Sequence, residues 1–186
     1  RDVAAVLWHP RFRTLFSANL LQLIGSGMGY AALLYFLSYN MHRTDALEVV
    51  GKVVLAACGG IILAQPLWVW VSNRFGKVQG YIAGSLIYSL SYLLWMFIYL
   101  LWPVSGGAGV AIAVFLSFTA AIGNSGWAMT SFSMLADISS EDEGNAGLYS
   151  AAWVAADKIA FALGGTLLVG LILSAFGFDT QAAMTG

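Results

Sequence analysis

The sequence predicts an all-α integral membrane protein with five transmembrane helices. Three observations carry this. Of the 186 residues, 60% are hydrophobic and only 9% are charged. A soluble globular domain carries about 25% charged residues. Mean hydropathy is +0.80, and the apolar residues fall into five long runs, each matching the ~20 residues needed to cross a ~30 Å hydrocarbon core.

The five runs are residues 14–37, 49–71, 79–102, 108–136 and 148–176. They are continuous, as in the segment from Leu86 to Trp95. A membrane β-strand would instead alternate apolar and polar residues over ~10 positions. Helices are therefore expected in all five. Pro66 falls inside the second run, which membrane helices tolerate when neighbours satisfy the freed carbonyl. Gly25 with Gly29, Gly80 with Gly84, and the ridge Ala152–Ala156–Ala160–Gly164 place small residues four apart. Such spacing lets helix backbones approach closely.

Composition excludes several functions. A net charge of −1 gives no basis for nucleic-acid binding. Cys58 is the single cysteine, so no internal disulfide forms, and His9 and His42 stand too far apart in sequence to read as a metal site. There is no Ser-His-Asp set and no phosphate-cradling glycine loop, so an enzyme is not expected. Lys and Arg distribution sets orientation. Arg1, Arg11, Arg13, Arg74 and Lys77 fall on one side, against Arg43 and Lys52 on the other. The N-terminus is accordingly expected in the cytoplasm.

Polar residues inside the spans are the functional signal. Asn19, Gln22, Ser26 and Tyr30 share one face of the first span. Such a stripe either joins helices or lines a wet pathway. Asn124, Trp127 and Ser131 do the same in the fourth span, and Tyr81, Ser85, Tyr88, Tyr92 and Tyr99 run roughly along one side of the third. Gln65 stands next to Pro66. The fifth span holds the deepest charges, Asp157 and Lys158. A charge there costs about 2.5–3.5 kcal/mol on insertion scales. Lys158 is too deep to reach the surface easily, so each charge calls for a partner or a water-filled cavity. The segment Ser140–Glu143 has the form of a capping box.

Several motifs resemble one family. Ser133-Met-Leu-Ala-Asp137, Gly147-Leu-Tyr-Ser150, Asp157-Lys158 and Gly164-Gly165 look like the end of the glycoside–pentoside–hexuronide:cation symporters (melibiose permease-like) of the major facilitator superfamily. Ser72-Asn-Arg-Phe-Gly-Lys77 resembles that superfamily's loop motif between paired helices, and Pro10–Phe16 resembles the entry to its seventh helix. In that register the chain holds helices seven to eleven of twelve, as a single partial membrane domain. Six further spans before it and one after it are expected.

The resemblance implies cation-coupled symport of a sugar or other small organic solute by alternating access. It implies that Lys158 lies near the sugar and cation sites; Asp157 has no family counterpart and is a coupling candidate by its place beside Lys158. Asp137 and Glu143 correspond to cytoplasmic acidic residues that bridge the two halves in one conformation, and Arg74 and Gly76 to the loop motif. Asn19, Gln22, Tyr30, Asn124, Trp127 and Trp153 are then cavity-lining candidates. No cofactor is implied beyond a coupling ion, Na⁺ or H⁺. The partners implied are the solute, the coupling cation, the lipid bilayer and an N-terminal half of the same protein. The location implied is a bacterial inner membrane. The sequence departs from the family pattern at three places. Asn73 replaces the loop motif's Asp, Gly144 and Ala146 replace common charged residues, and Trp153 and Val154 replace polar sugar contacts. Two other readings stay open: a lipid or lysolipid transporter of the same superfamily, with Trp153 and Val154 lining a greasy opening, and a non-transporting membrane scaffold.

Overall fold

A computed structural model describes residues 6–41, 44–101 and 107–178. Arg1, His42, Arg43 and Trp102, used above, lie outside the described residues, as does the side chain of Tyr99. The described residues form helices and no strand. Five helical runs are long and apolar enough to cross a membrane: Pro10–Asn40, Ala46–Phe75, Lys77–Ile98, Gly107–Glu141 and Glu143–Ala175.

Number and order match the sequence reading, but all five runs begin earlier than expected and three of them also end later. Hydropathy marks only the apolar stretch, whereas backbone hydrogen bonding carries a helix on into polar residues. Helix α1 (Pro10–Tyr35) begins at a proline, whose missing N–H costs nothing at that position. His9 caps it, its Nδ1 accepting weakly from the Phe12 N–H at 3.4 Å. A π-helical turn, Phe36–Asn40, ends the run. Helix α2 (Ala46–Phe75) contains Pro66 and stops at Gly76. Gly76 has φ +102°, a conformation that a side chain opposes. Helix α3 (Lys77–Leu101) starts immediately after it. Helix α4 (Gly107–Glu141) is the longest, at 35 residues. A 3₁₀ turn (Glu143–Asn145) leads into α5 (Ala146–Ala162), which continues through a π-helical turn (Leu163–Leu168) into α6 (Val169–Ala175).

The chain divides into two compact units, one reaching to Thr44 and resuming at Asp137, the other spanning Asp45–Ala136. In the first, α1 and α5 run parallel. Phe12 meets Tyr149 with ring centroids 4.9 Å apart. Further along, a Cβ on Gly27 would lie 2.6 Å from the Phe161 carbonyl oxygen, and one on Gly164 would strike the Ile24 carbonyl. Ala156 and Ala160 are buried along the same stripe. The predicted Ala/Gly ridge is therefore the seam with α1. On α1 the close approach is made at Gly27, not at Gly25, which has nothing within 4 Å. The far end is closed by Tyr35 and Tyr39 against Phe178.

In the second unit, α3 runs antiparallel to α2 and α4. A Cβ on Gly84 would lie 2.5 Å from the Trp127 nitrogen, and one on Gly80 would lie 2.9 Å from Thr130 Cγ2. Gly60 packs on Phe118 and Ala121, and Gly126 packs on the Trp68 ring. Side-chain hydrogen bonds add directionality. The Trp68 indole donates to the Ile122 carbonyl at 2.8 Å, and the Ser91 hydroxyl lies 3.2 Å from that of Thr119. Large apolar side chains such as Leu21, Leu55, Leu63 and Phe115 point outward. Such a surface suits lipid, because between helices in a bilayer packing and hydrogen bonds replace the hydrophobic drive.

Candidate functional site

Lys158 is the sixteenth of the 33 residues in the run Glu143–Ala175 and so lies near its middle. Successive residues on a helix turn by about 100°. Lys158 therefore stands about 160° from Ala160 and 180° from Tyr149, opposite the stripe that packs on α1. Asp157 is about 60–80° from the same two residues, at the flank of that stripe. Both side chains are exposed on the surface of their unit. Neither makes an ion pair or hydrogen bond with any described residue. Although adjacent, the two charges serve different faces of one helix.

The seam gives the level of these charges. Pairing Phe12 with Tyr149, and Gly27 with Gly165, offsets α1 from α5 by 137 and 138 residues (149 − 12, 165 − 27). Subtracting 137 puts Asp157 and Lys158 level with Leu20 and Leu21 of α1. Asn19 and Gln22 flank that level. Asn19 is 3% exposed and forms no hydrogen bond with a described residue. Gln22 is half-buried. Ser26 is buried, while Tyr30 is half-exposed, its ring 5.7 Å from that of Phe161. The polar stripe of α1 thus enters the seam at Asn19 and Ser26 and leaves it at Tyr30.

Trp153 lies on the α1 side of its helix. It is 2% exposed and belongs to the buried stripe with Tyr149, Ala156 and Ala160. It does not share the face of Lys158. Ile159, and Val154 about one turn earlier, are exposed apolar residues near that lysine in sequence.

In the second unit, Trp127 and Ser131 are buried and Asn124 is half-buried. The Ser131 hydroxyl turns back to the Ala128 carbonyl. The Trp127 indole N–H and the Ser85 hydroxyl are buried and have no partner among the described residues. Gln65 donates to the Ile61 carbonyl at 3.3 Å, one turn back along its own helix beside Pro66. Arg74 is exposed. Gly76 supplies the positive φ that lets α3 follow α2 directly, and Lys77 Nζ reaches the Ser133 carbonyl at 3.4 Å.

The acidic segment also departs from expectation. Asp137 lies inside α4, in its last two turns, rather than in a loop. Glu143 opens the 3₁₀ turn and is exposed. Ser140 caps nothing: its hydroxyl donates to the Asp137 carbonyl at 2.8 Å, because α4 continues through Glu141. The residues around it form an unpredicted cluster. Arg11 Nη1 donates to both Glu141 oxygens, at 2.7 and 2.6 Å. The Asp142 carboxylate accepts from Asn145 Nδ2 at 3.2 and 3.0 Å and from the Tyr149 hydroxyl at 3.2 Å. The Tyr149 ring packs edge-on against Phe12 and His9. Only the seven-residue spacing from Asp142 to Tyr149, two helical turns, signals any of this in the sequence. Among the described residues there is no group of His, Cys, Asp and Glu able to hold a metal.

The family model described as "MFS/sugar transport protein" matches residues 1–185. No curated protein matches the chain, and no solved structure does.

Proposed function

We propose that this chain, which belongs to the MFS/sugar transport protein family, serves cation-coupled symport of a sugar or other small organic solute. It is an integral membrane protein of the major facilitator superfamily, and its class is transport. Its finer placement in the glycoside–pentoside–hexuronide:cation branch rests on the Asp137, Gly147–Ser150 and Lys158 motifs. Alternating access in such proteins works around a site near the bilayer midplane.

The observation that carries the reading is Lys158. It sits midway along its span, on the side away from α1, with no partner among the described residues. A charge left in hydrocarbon costs about 2.5–3.5 kcal/mol, so that face meets water, a solute or an opposing charge. A cavity completed by a second half of the same protein meets this need. Asp157, Asn19 and Gln22 lie at the same level along the bundle, with Asn19 buried on the α1 side and Lys158 on the opposite side of α5. Na⁺ or H⁺ is the coupling ion in this reading, and the N-terminal end faces the cytoplasm of a bacterial inner membrane.

The test is uptake by the full-length protein in proteoliposomes under an imposed Na⁺ or H⁺ gradient. Lys158→Ala is expected to abolish gradient-driven accumulation of the solute. Normal coupled uptake by that variant would overturn the proposal. A second reading, lysolipid transport, draws support from Val154 and Ile159, which are 53% and 58% exposed beside Lys158. Flipping of a labelled lysolipid, without sugar uptake, would favour it.

A further inference from the structure

The cluster joining the end of α4 to the starts of α1 and α5 has no part in the reading above. It is built from directional contacts. Tyr149 is 1% exposed, its ring is held against Phe12 and His9, and its hydroxyl donates to Asp142. Asp142 also holds Asn145, the residue just before α5. One residue back, Glu141 holds Arg11 in the first turn of α1.

Beyond Trp153 the seam narrows to a ridge of small residues. Ala156, Ala160 and Gly164 let the two backbones come close. A ridge of small residues sets the distance between helices well but resists sliding and rotation poorly, because few atoms interlock. A hydrogen bond weakens steeply when its angle changes, so it resists both motions. Lys158 lies nine residues beyond Tyr149 on the same helix, about 13 Å further along the axis. A rotation of α5 by one residue's turn would carry Lys158 about 100° around.

We infer that Tyr149 and Asp142 are positioning residues that fix the rotation and depth of α5, and through it the placement of Lys158. This rests on the transport reading for its functional consequence, but not for its structural one. Glu141 and Arg11 brace the same junction from outside. Glu141 and Asp142 are thereby engaged within their own unit.

Tyr149→Phe removes one oxygen and keeps the ring, so the variant folds with its packing intact. Asp142→Ala removes the acceptor from the other side. Hydrogen–deuterium exchange on the full-length protein in nanodiscs reads the first consequence without any substrate. Amides of Ala146–Ala162 are expected to exchange about five-fold faster in both variants, as loss of one net hydrogen bond predicts. Amides of Lys77–Leu101 are expected to stay unchanged. Solute uptake reads the second: the half-saturating concentration is expected to rise at least about three-fold, because the competent placement of Lys158 is populated less often.

Unchanged exchange in Ala146–Ala162 for both variants would overturn the inference. So would faster exchange accompanied by normal uptake. If the wild-type protein takes up no tested solute, the transport reading fails, and the exchange comparison alone decides whether the cluster holds α5.

Discussion

Arg11 Nη1 lies within 2.7 Å of both carboxylate oxygens of Glu141, 130 residues further along the chain. The contact joins the first turn of one membrane helix to the last residue of another. Both side chains are more than half exposed, 64% and 51%. An exposed pair is worth about 0.2–1 kcal/mol and is screened by salt. Arg11→Ala and Glu141→Ala are each expected to lower the thermal midpoint slightly in detergent at low salt. The double variant is expected to add nothing beyond either single one, and ~0.5 M NaCl to remove the difference from wild type. Additive losses would show that the two residues act apart.

Glycine at the α1–α5 seam gives a sharper test. A Cβ at position 164 would strike the Ile24 carbonyl, and one at position 27 would lie 2.6 Å from the Phe161 carbonyl oxygen. Backbone cannot step aside as a side chain can. Gly164→Ala and Gly27→Ala are expected to destabilise by about 1–3 kcal/mol. Gly25→Ala, with open space around it, is expected to be neutral or slightly stabilising. Thermal unfolding of the three variants by intrinsic fluorescence checks the order.

Gly76 tests backbone conformation rather than space. Its φ of +102° is strained for any residue with a side chain. A Cβ there would also lie 2.7 Å from Gln79 Oε1, which is the movable end of a side chain. Gly76→Ala is expected to cost about 1–3 kcal/mol through the backbone alone. Adding Gln79→Ala is expected to recover little of that. Full recovery in the double variant would place the cost in the side-chain contact instead.

Trp68 joins α2 to α4 by ring packing on Gly126 and by its indole bond to the Ile122 carbonyl. Trp68→Phe loses that bond and leaves some space. A loss of about 1–3 kcal/mol is expected, combining one lost hydrogen bond with a small cavity, because the Ile122 carbonyl keeps the Ser125 hydroxyl as a donor. Trp70→Phe on the exposed side of the same helix is expected to change stability by less than about 0.5 kcal/mol. Denaturation in a mixed-micelle system distinguishes them.

Lys158 makes a prediction at insertion as well as in transport. The segment Glu143–Ala175 holds both deep charges. Lys158→Leu is expected to improve membrane insertion of this span by about 3 kcal/mol, measured by translocon-mediated glycosylation mapping. The same change is expected to remove coupled uptake. Unimproved insertion would mean that the lysine already reaches water from its position.

The five spans were legible in the sequence because each is a local property. About 20 consecutive apolar residues must leave water whatever they pack against, and the helix is the structure that satisfies their backbone without a partner. Depth is also local, so the sequence alone could place Lys158 near mid-membrane. The ridge Ala152–Ala156–Ala160–Gly164 was readable for the same reason, since a face follows from spacing along one helix.

What the tertiary structure decided is everything that depends on a second element. Gly25 and Gly27 are alike in sequence, yet only Gly27 meets a neighbouring helix. Trp153 and Lys158 are close in sequence, yet one is buried in its unit and the other exposed. Arg11 and Glu141 carry no pattern that links them, because an ion pair across 130 residues is made by helix ends meeting and not by periodicity. Asp157 and Lys158 were a pair by adjacency alone; helical geometry sets them on different faces, with Asp157 flanking the seam and Lys158 turned away from it.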